Sequence, residues 1–152
     1  MDPNVSLITL GVPDVEQARQ FYVEGLGWEP ILDVPGQIVF LQVGHGLALS
    51  IFGAGELAKD VDPTLVPDEA AGAAQGPRGV ALAHNVGSAA EVDAVLADAA
   101  RAGATIRKPA QRAEWGGYHG YFADPAGTLW EVAHNPGWSV DPDGTVRLGP
   151  VD

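Results

Sequence analysis

Residues 121–131 read YFADPAGTLWE, two short apolar and aromatic runs clasped around the tetrapeptide from Asp124 to Gly127. Proline at the second turn position and glycine at the fourth make DPAG a tight turn. The stretch is therefore a hairpin joining strands predicted at Tyr118–Ala123 and Thr128–His134. Upstream, Thr105–Lys108 reads as a third strand. Before it, Val92, Val95, Leu96 and Ala99 recur at helical spacing behind the capping box Ser88-Ala-Ala-Glu91, and Gly103 ends that helix. GVALAHNV, residues 79–86, alternates as a strand ahead of the helix. The order is β-α-β-β-β.

The same order stands earlier in the chain. Residues 5–12, VSLITLGV, read as a strand, and Asp14 caps a helix whose apolar face is Val15, Ala18, Phe21, Tyr22 and Leu26. Gly25 and Gly27 stop it, and strands are predicted at Pro30–Val34, Gln37–Val43 and Leu47–Phe52, the last two joined by a turn at Gly44-His45-Gly46. A repeated unit is an organisational signal in its own right. The fold class is α+β: two βαβββ modules, residues 1–54 and 79–152, joined by a linker at 55–78 that holds glycine, alanine, proline and acids without a sustained period and leaves room for a helical turn. The tail from Asn135, with Pro136, Pro142 and Pro150, is expected to be mostly irregular. One module alone would leave a sheet face bare. Two side by side are expected to form a curved mixed sheet with helices on the outer face and a cleft on the other.

Composition narrows the function classes. There is no cysteine, which removes disulfides, thiolate metal sites and cysteine nucleophiles and suits a reducing cytoplasm. The N-terminus MDPNVSLITL lacks the basic and long apolar regions of a signal peptide, and no run approaches the roughly 20 apolar residues of a membrane helix. Abundant Gly, Ala, Val, Asp and Pro with scarce Lys suit a GC-rich bacterial gene. Twenty acids against 8 bases give a formal charge of −12, which repels phosphate backbones and excludes nucleic acid as the natural partner. The same field would favour cationic ligands, and it keeps a small protein soluble.

Two motifs carry a family resemblance. LGVPDVEQARQFYVEGLGW at Leu10–Trp28 is similar to the strand-then-helix entry of the vicinal-oxygen-chelate superfamily (glyoxalases, bleomycin-resistance proteins and extradiol dioxygenases), and YFADPAGTLWE at Tyr121–Glu131 is similar to its closing hairpin. The resemblance covers the chain except linker and tail. It implies the paired βαβββ fold, a homodimer, and in the enzymes a divalent metal acting as Lewis acid on vicinal substrate oxygens. Carried across, the ligand positions fall on Leu7, Ser50, Val80 and Glu131, of which Glu131 alone is a metal ligand. A displaced set of His84, His119 and Glu131 is conceivable, but all three come from the second module. The expectation is no metal and no cofactor.

Strand parity then selects the groups expected to line the cleft, because side chains two apart share a face. They are Phe40, Gln42, Ser50 and Phe52 in the first module, and His119, Tyr121 and Glu131 in the second, to which the glycine loop 114–118 adds Tyr118. Trp115, beside Gly116 and Gly117, and Trp138 in the tail add aromatic surfaces suited to stacking on a planar ligand. Without a metal, Glu131 needs a hydrogen-bonding partner, expected among His119, Tyr121 and Ser50. Phe21, Tyr22, Trp28 and Trp130 read as core packing, and His45 and His134 as solvated groups.

Two functions compete. The first is a metal-free binding protein similar to bleomycin-resistance proteins, sequestering a bulky aromatic antibiotic or natural product and conferring resistance to it. The second is a lyase, isomerase or dioxygenase with a displaced metal site, or acid–base chemistry at Glu131 and His119. The lost ligand positions favour the first.

Overall fold

The computed structural model describes residues 1, 3, 5–61 and 80–149. The α+β reading and the doubled βαβββ order hold, and the chain divides into two compact units that follow them.

The first unit runs β1 (Leu7–Val12), α1 (Val15–Arg19), β2 (Pro30–Val34), β3 (Ile38–Gly44), β4 (Leu47–Gly53) and α2 (Ala54–Val61). Asp14 caps α1 by accepting from the Gln17 amide. From Gln20 to Gly25 the helix widens into a π-helical turn, which seats the consecutive rings of Phe21 and Tyr22 in the core, edge to face at 4.9 Å. The open sheet has the order β1-β4-β3-β2, with β1 parallel to β4 and the other pairs antiparallel. One face buries Val39, Leu41, Leu49 and Ile51, each contributing about 1.5–3 kcal/mol on leaving water. The other face carries Thr9, Phe40, Ser50 and Phe52, set together by the registers Thr9↔Ser50, Phe40↔Ser50 and Ile38↔Phe52.

The second unit runs β5 (Leu82–Asn85), α3 (Ala89–Ala102), β6 (Thr105–Arg112), β7 (Tyr118–Ala123), β8 (Leu129–His134), β9 (Trp138–Val140) and β10 (Val146–Leu148). Ser88 accepts from the Glu91 amide while Glu91 reaches back to the Gly87 amide, so the predicted capping box is present. The sheet order is β5-β8-β7-β6, again with the outer β5 parallel to β8. Gly120 shows which face meets α3: a Cβ there would stand 2.7 Å from the Leu96 side chain. Phe122, Trp130 and Val132 share that buried face, and the rings of Phe122 and Trp130 stack at 6.2 Å. His119, Tyr121 and Glu131 therefore point to the face away from α3.

Two expectations need correction. Residues 55–61 of the expected linker belong, with Ala54, to the helix α2, whose Leu57 approaches β1 at Gly11; a Cβ on Gly11 would lie 3.0 Å from it. The rest of the expected linker, 62–78, lies outside the described residues. The tail is not irregular either, since β9 and β10 form an antiparallel hairpin around Asp141–Gly144, with Asp141 and Thr145 bonded across the turn. Among the described residues no helix is long and apolar enough to cross a membrane.

Candidate functional site

The second unit gathers its polar groups on the face away from α3. The 113–117 loop between β6 and β7 closes with the Ala113 amide donating to Gly117 and the Gly116 amide to Ala113. Gly117 has no side chain, and the six-membered ring of Trp115 fills that space: a Cβ at 117 would fall 1.7 Å from it. The indole, 40% exposed, stands edge-on to the His119 ring at 5.4 Å. His119 is in turn 5.7 Å from the Tyr121 ring.

Beneath these rings runs a three-membered relay. Lys108 Nζ lies 2.8 Å from His119 Nε2, and His119 Nδ1 lies 2.6 Å from Glu131 Oε1. An ammonium has only protons to offer, so Nε2 accepts from Lys108 and Nδ1–H donates to the carboxylate, the assignment that the geometry requires. The side chains of His119 and Glu131 are 10% and 25% exposed. Burial first, then the charge of Glu131 and a hydrogen bond to it, hold the Tyr121 hydroxyl above its usual ionisation near 10. Lys108 also stands 6.0 Å over the Tyr121 ring. Such an array can hold an aromatic ligand on Trp115 and Tyr121, and it can pass a proton along Lys108, His119 and Glu131.

The sequence-based selection is partly redrawn. Trp115, His119, Tyr121 and Glu131 do come together, with His119 bonded to Glu131 and Tyr121 registered opposite it. Ser50 is not a partner of Glu131: its hydroxyl, 1% exposed, donates to Thr9 Oγ1 at 2.8 Å in the first unit. Gln42 turns its amide back on the carbonyls of Gly44 and Leu47, closing the β3–β4 turn, so it is spent structurally. Tyr118 faces the α3 side, where it donates to Asp93 at 3.0 Å, a bond that raises its hydroxyl pKa. There it lines a cavity of about 480 Å³ with Arg112 and His134. Trp138 lines another, of about 410 Å³, with Asn85 and Val86. His134 is half-buried and bonded to the Val86 carbonyl rather than solvated, while His45 is exposed as expected. Lys108 was missed altogether.

The sequence profile of the Glyoxalase/Bleomycin resistance protein/Dioxygenase superfamily matches residues 4–132. The chain belongs to that superfamily. Among solved structures, a glyoxalase-related enzyme from Fulvimarina pelagi is 36% identical, with 97% of this chain and 99% of that one covered at a TM-score of 0.82. A lactoylglutathione lyase from Agrobacterium tumefaciens is 25% identical (89% and 96% covered, TM-score 0.63). A glyoxalase/bleomycin resistance protein/dioxygenase from Nocardioides, 23% identical (88% and 84% covered, TM-score 0.68), shares the fold. No curated protein sequence matches.

The superfamily's divalent metal does not fit these residues. Leu7 and Val80 offer no donor, and the Ser50 hydroxyl is committed to Thr9. One Glu131 oxygen is committed to His119. Zinc needs about four ligands and the hard cations about six. The displaced set fails on parity, because His84 registers on Val132 while Ala83 registers on Glu131, which places His84 on the opposite face. Among the described residues no group of three histidines or acids is placed to hold an ion.

Proposed function

We propose that this member of the superfamily is a metal-free binding protein for a planar aromatic small molecule, of the kind that sequesters an antibiotic or natural product. The observation that carries this reading is the Trp115 platform, locked over Gly117 beside a carboxylate bonded to His119. A ring laid on Trp115 would gain about 0.5–1.5 kcal/mol beyond area burial. The relay beneath it favours a second reading, metal-free acid–base chemistry in which His119 moves a proton between Lys108 and Glu131.

Calorimetric titration against a panel of DNA-damaging and polyketide antibiotics separates the two. Trp115→Ala should weaken a bound compound about 5- to 150-fold, the scale of a truncated aromatic anchor, without disturbing the core. Unchanged affinity would remove the platform from the site. A panel compound that emerges chemically altered at catalytic turnover would replace sequestration by the second reading. Added Zn²⁺, Ni²⁺ or Mn²⁺ should leave the melting temperature nearly unchanged, whereas a tight site would raise stability by several kcal/mol at saturating metal.

A further inference from the structure

The hydrogen-bonding capacity left over at the site includes donors that carry a positive charge. Glu131 accepts from His119 through one of its two oxygens. His119 has both ring nitrogens engaged. Lys108 gives one of its three protons to His119 and keeps two. Beside the acceptor sites left on Glu131, the centre can therefore still offer a ligand N–H donors on a cation.

The distribution of charge agrees. Four of the described basic side chains meet a carboxylate: Arg19 with Asp33, Lys59 with Glu56, Arg101 with Asp98 and Arg147 with Asp141. Arg107, Lys108 and Arg112 have no carboxylate within ion-pair distance among the described residues, and all three lie on β6, which carries no acid. In a chain with 20 acids and 8 bases such a strand is conspicuous. Cations on an edge strand discourage pairing with another sheet, and that accounts for the exposed Arg107 and Arg112. It does not account for Lys108, which is half-buried and turned onto His119.

Resting on the binding reading above, we propose that the ligand is an aromatic anion, its carboxylate or other oxyanion on Lys108 Nζ and its ring on Trp115. The charge of −12 does not oppose this, because fields from distant acids are screened beyond about 8 Å at physiological salt while the ammonium acts at contact.

Three probes with one ring test the proposal by calorimetry: 2-naphthoate, 2-naphthalenemethanol and 2-naphthylmethylammonium. Naphthoate should bind about 10- to 100-fold tighter than the ammonium probe, the scale of a charge-assisted hydrogen bond. Lys108→Met should collapse that ratio and Lys108→Arg should retain it. If the variants do not fold, the order of the three probes on the unaltered protein still decides. A tighter ammonium probe, or a naphthoate preference that survives Lys108→Met, overturns the anionic ligand and leaves an aromatic site standing. Failure of all three probes to bind at millimolar concentration overturns the binding reading with it.

Discussion

The two modules repeat one pattern and fill it differently. Ser50 on β4 and Glu131 on β8 hold the same place, each registered on the parallel outer strand and on the antiparallel neighbour: Thr9 and Phe40 for Ser50, Ala83 and Tyr121 for Glu131. In the first module the two hydroxyls satisfy each other, and α2 packs at the Gly11 end of β1. In the second the outer strand offers only an alanine methyl. The carboxylate must then find a proton donor elsewhere, and it does so through His119 and Lys108. A buried hydroxyl can be satisfied by a neighbour, but a carboxylate recruits charge from across the sheet.

Exchanging the two fillings should break the comparison most severely. Ser50→Glu places a carboxylate, without a cation, at a position 1% exposed, and should cost about 4 kcal/mol in urea unfolding. A loss under 1 kcal/mol would mean that the first module holds a cation partner after all. His119→Leu cuts the relay and strands Lys108 and Glu131. The expected loss is smaller, about 2–3 kcal/mol, because Glu131 is a quarter exposed and regains water. Ser50→Ala removes one neutral hydrogen bond and should cost about 1 kcal/mol.

The mildest test reads the Tyr121 hydroxyl. Its folded pKa lies above the unfolded value, so its contribution to stability is complete below about pH 10 and is lost as pH rises through the folded value. Ultraviolet titration should show Tyr121 ionising later in the native than in the unfolded protein. Glu131→Gln should bring that ionisation down part of the way, since burial, the larger cause, remains. A delay that Glu131→Gln leaves unchanged would contradict the influence of Glu131 on Tyr121.

Much of this fold was legible because its punctuation is local. Asp14, the Ser88–Glu91 box and the DPAG turn each declare an element boundary within four residues, and all three are formed. The same logic applied to Asp141-Pro-Asp-Gly144 would have exposed the tail hairpin. Lys108 was hidden by register. Alternation from Thr105, which pairs with Ala123, would place Arg107 opposite Tyr121, but irregularities on both sides of Lys108 put Lys108 there instead. The one local sign was Pro109, since proline inside a strand marks an edge or a bulge. His84 was misplaced for the related reason that one residue of slip changes the face.

The missing side chain at Gly117 has a kinetic corollary. Because the indole of Trp115 already occupies that space, its rotamer is set when the hairpin folds and not when a ligand arrives. The ordering cost of about 0.5–1.5 kcal/mol for a mobile aromatic is thus absent from the binding step. Gly117→Ala, which evicts the ring, would put that cost back while leaving the indole in the molecule. Among ligands of this site, preference would then be written in residence time rather than in capture rate.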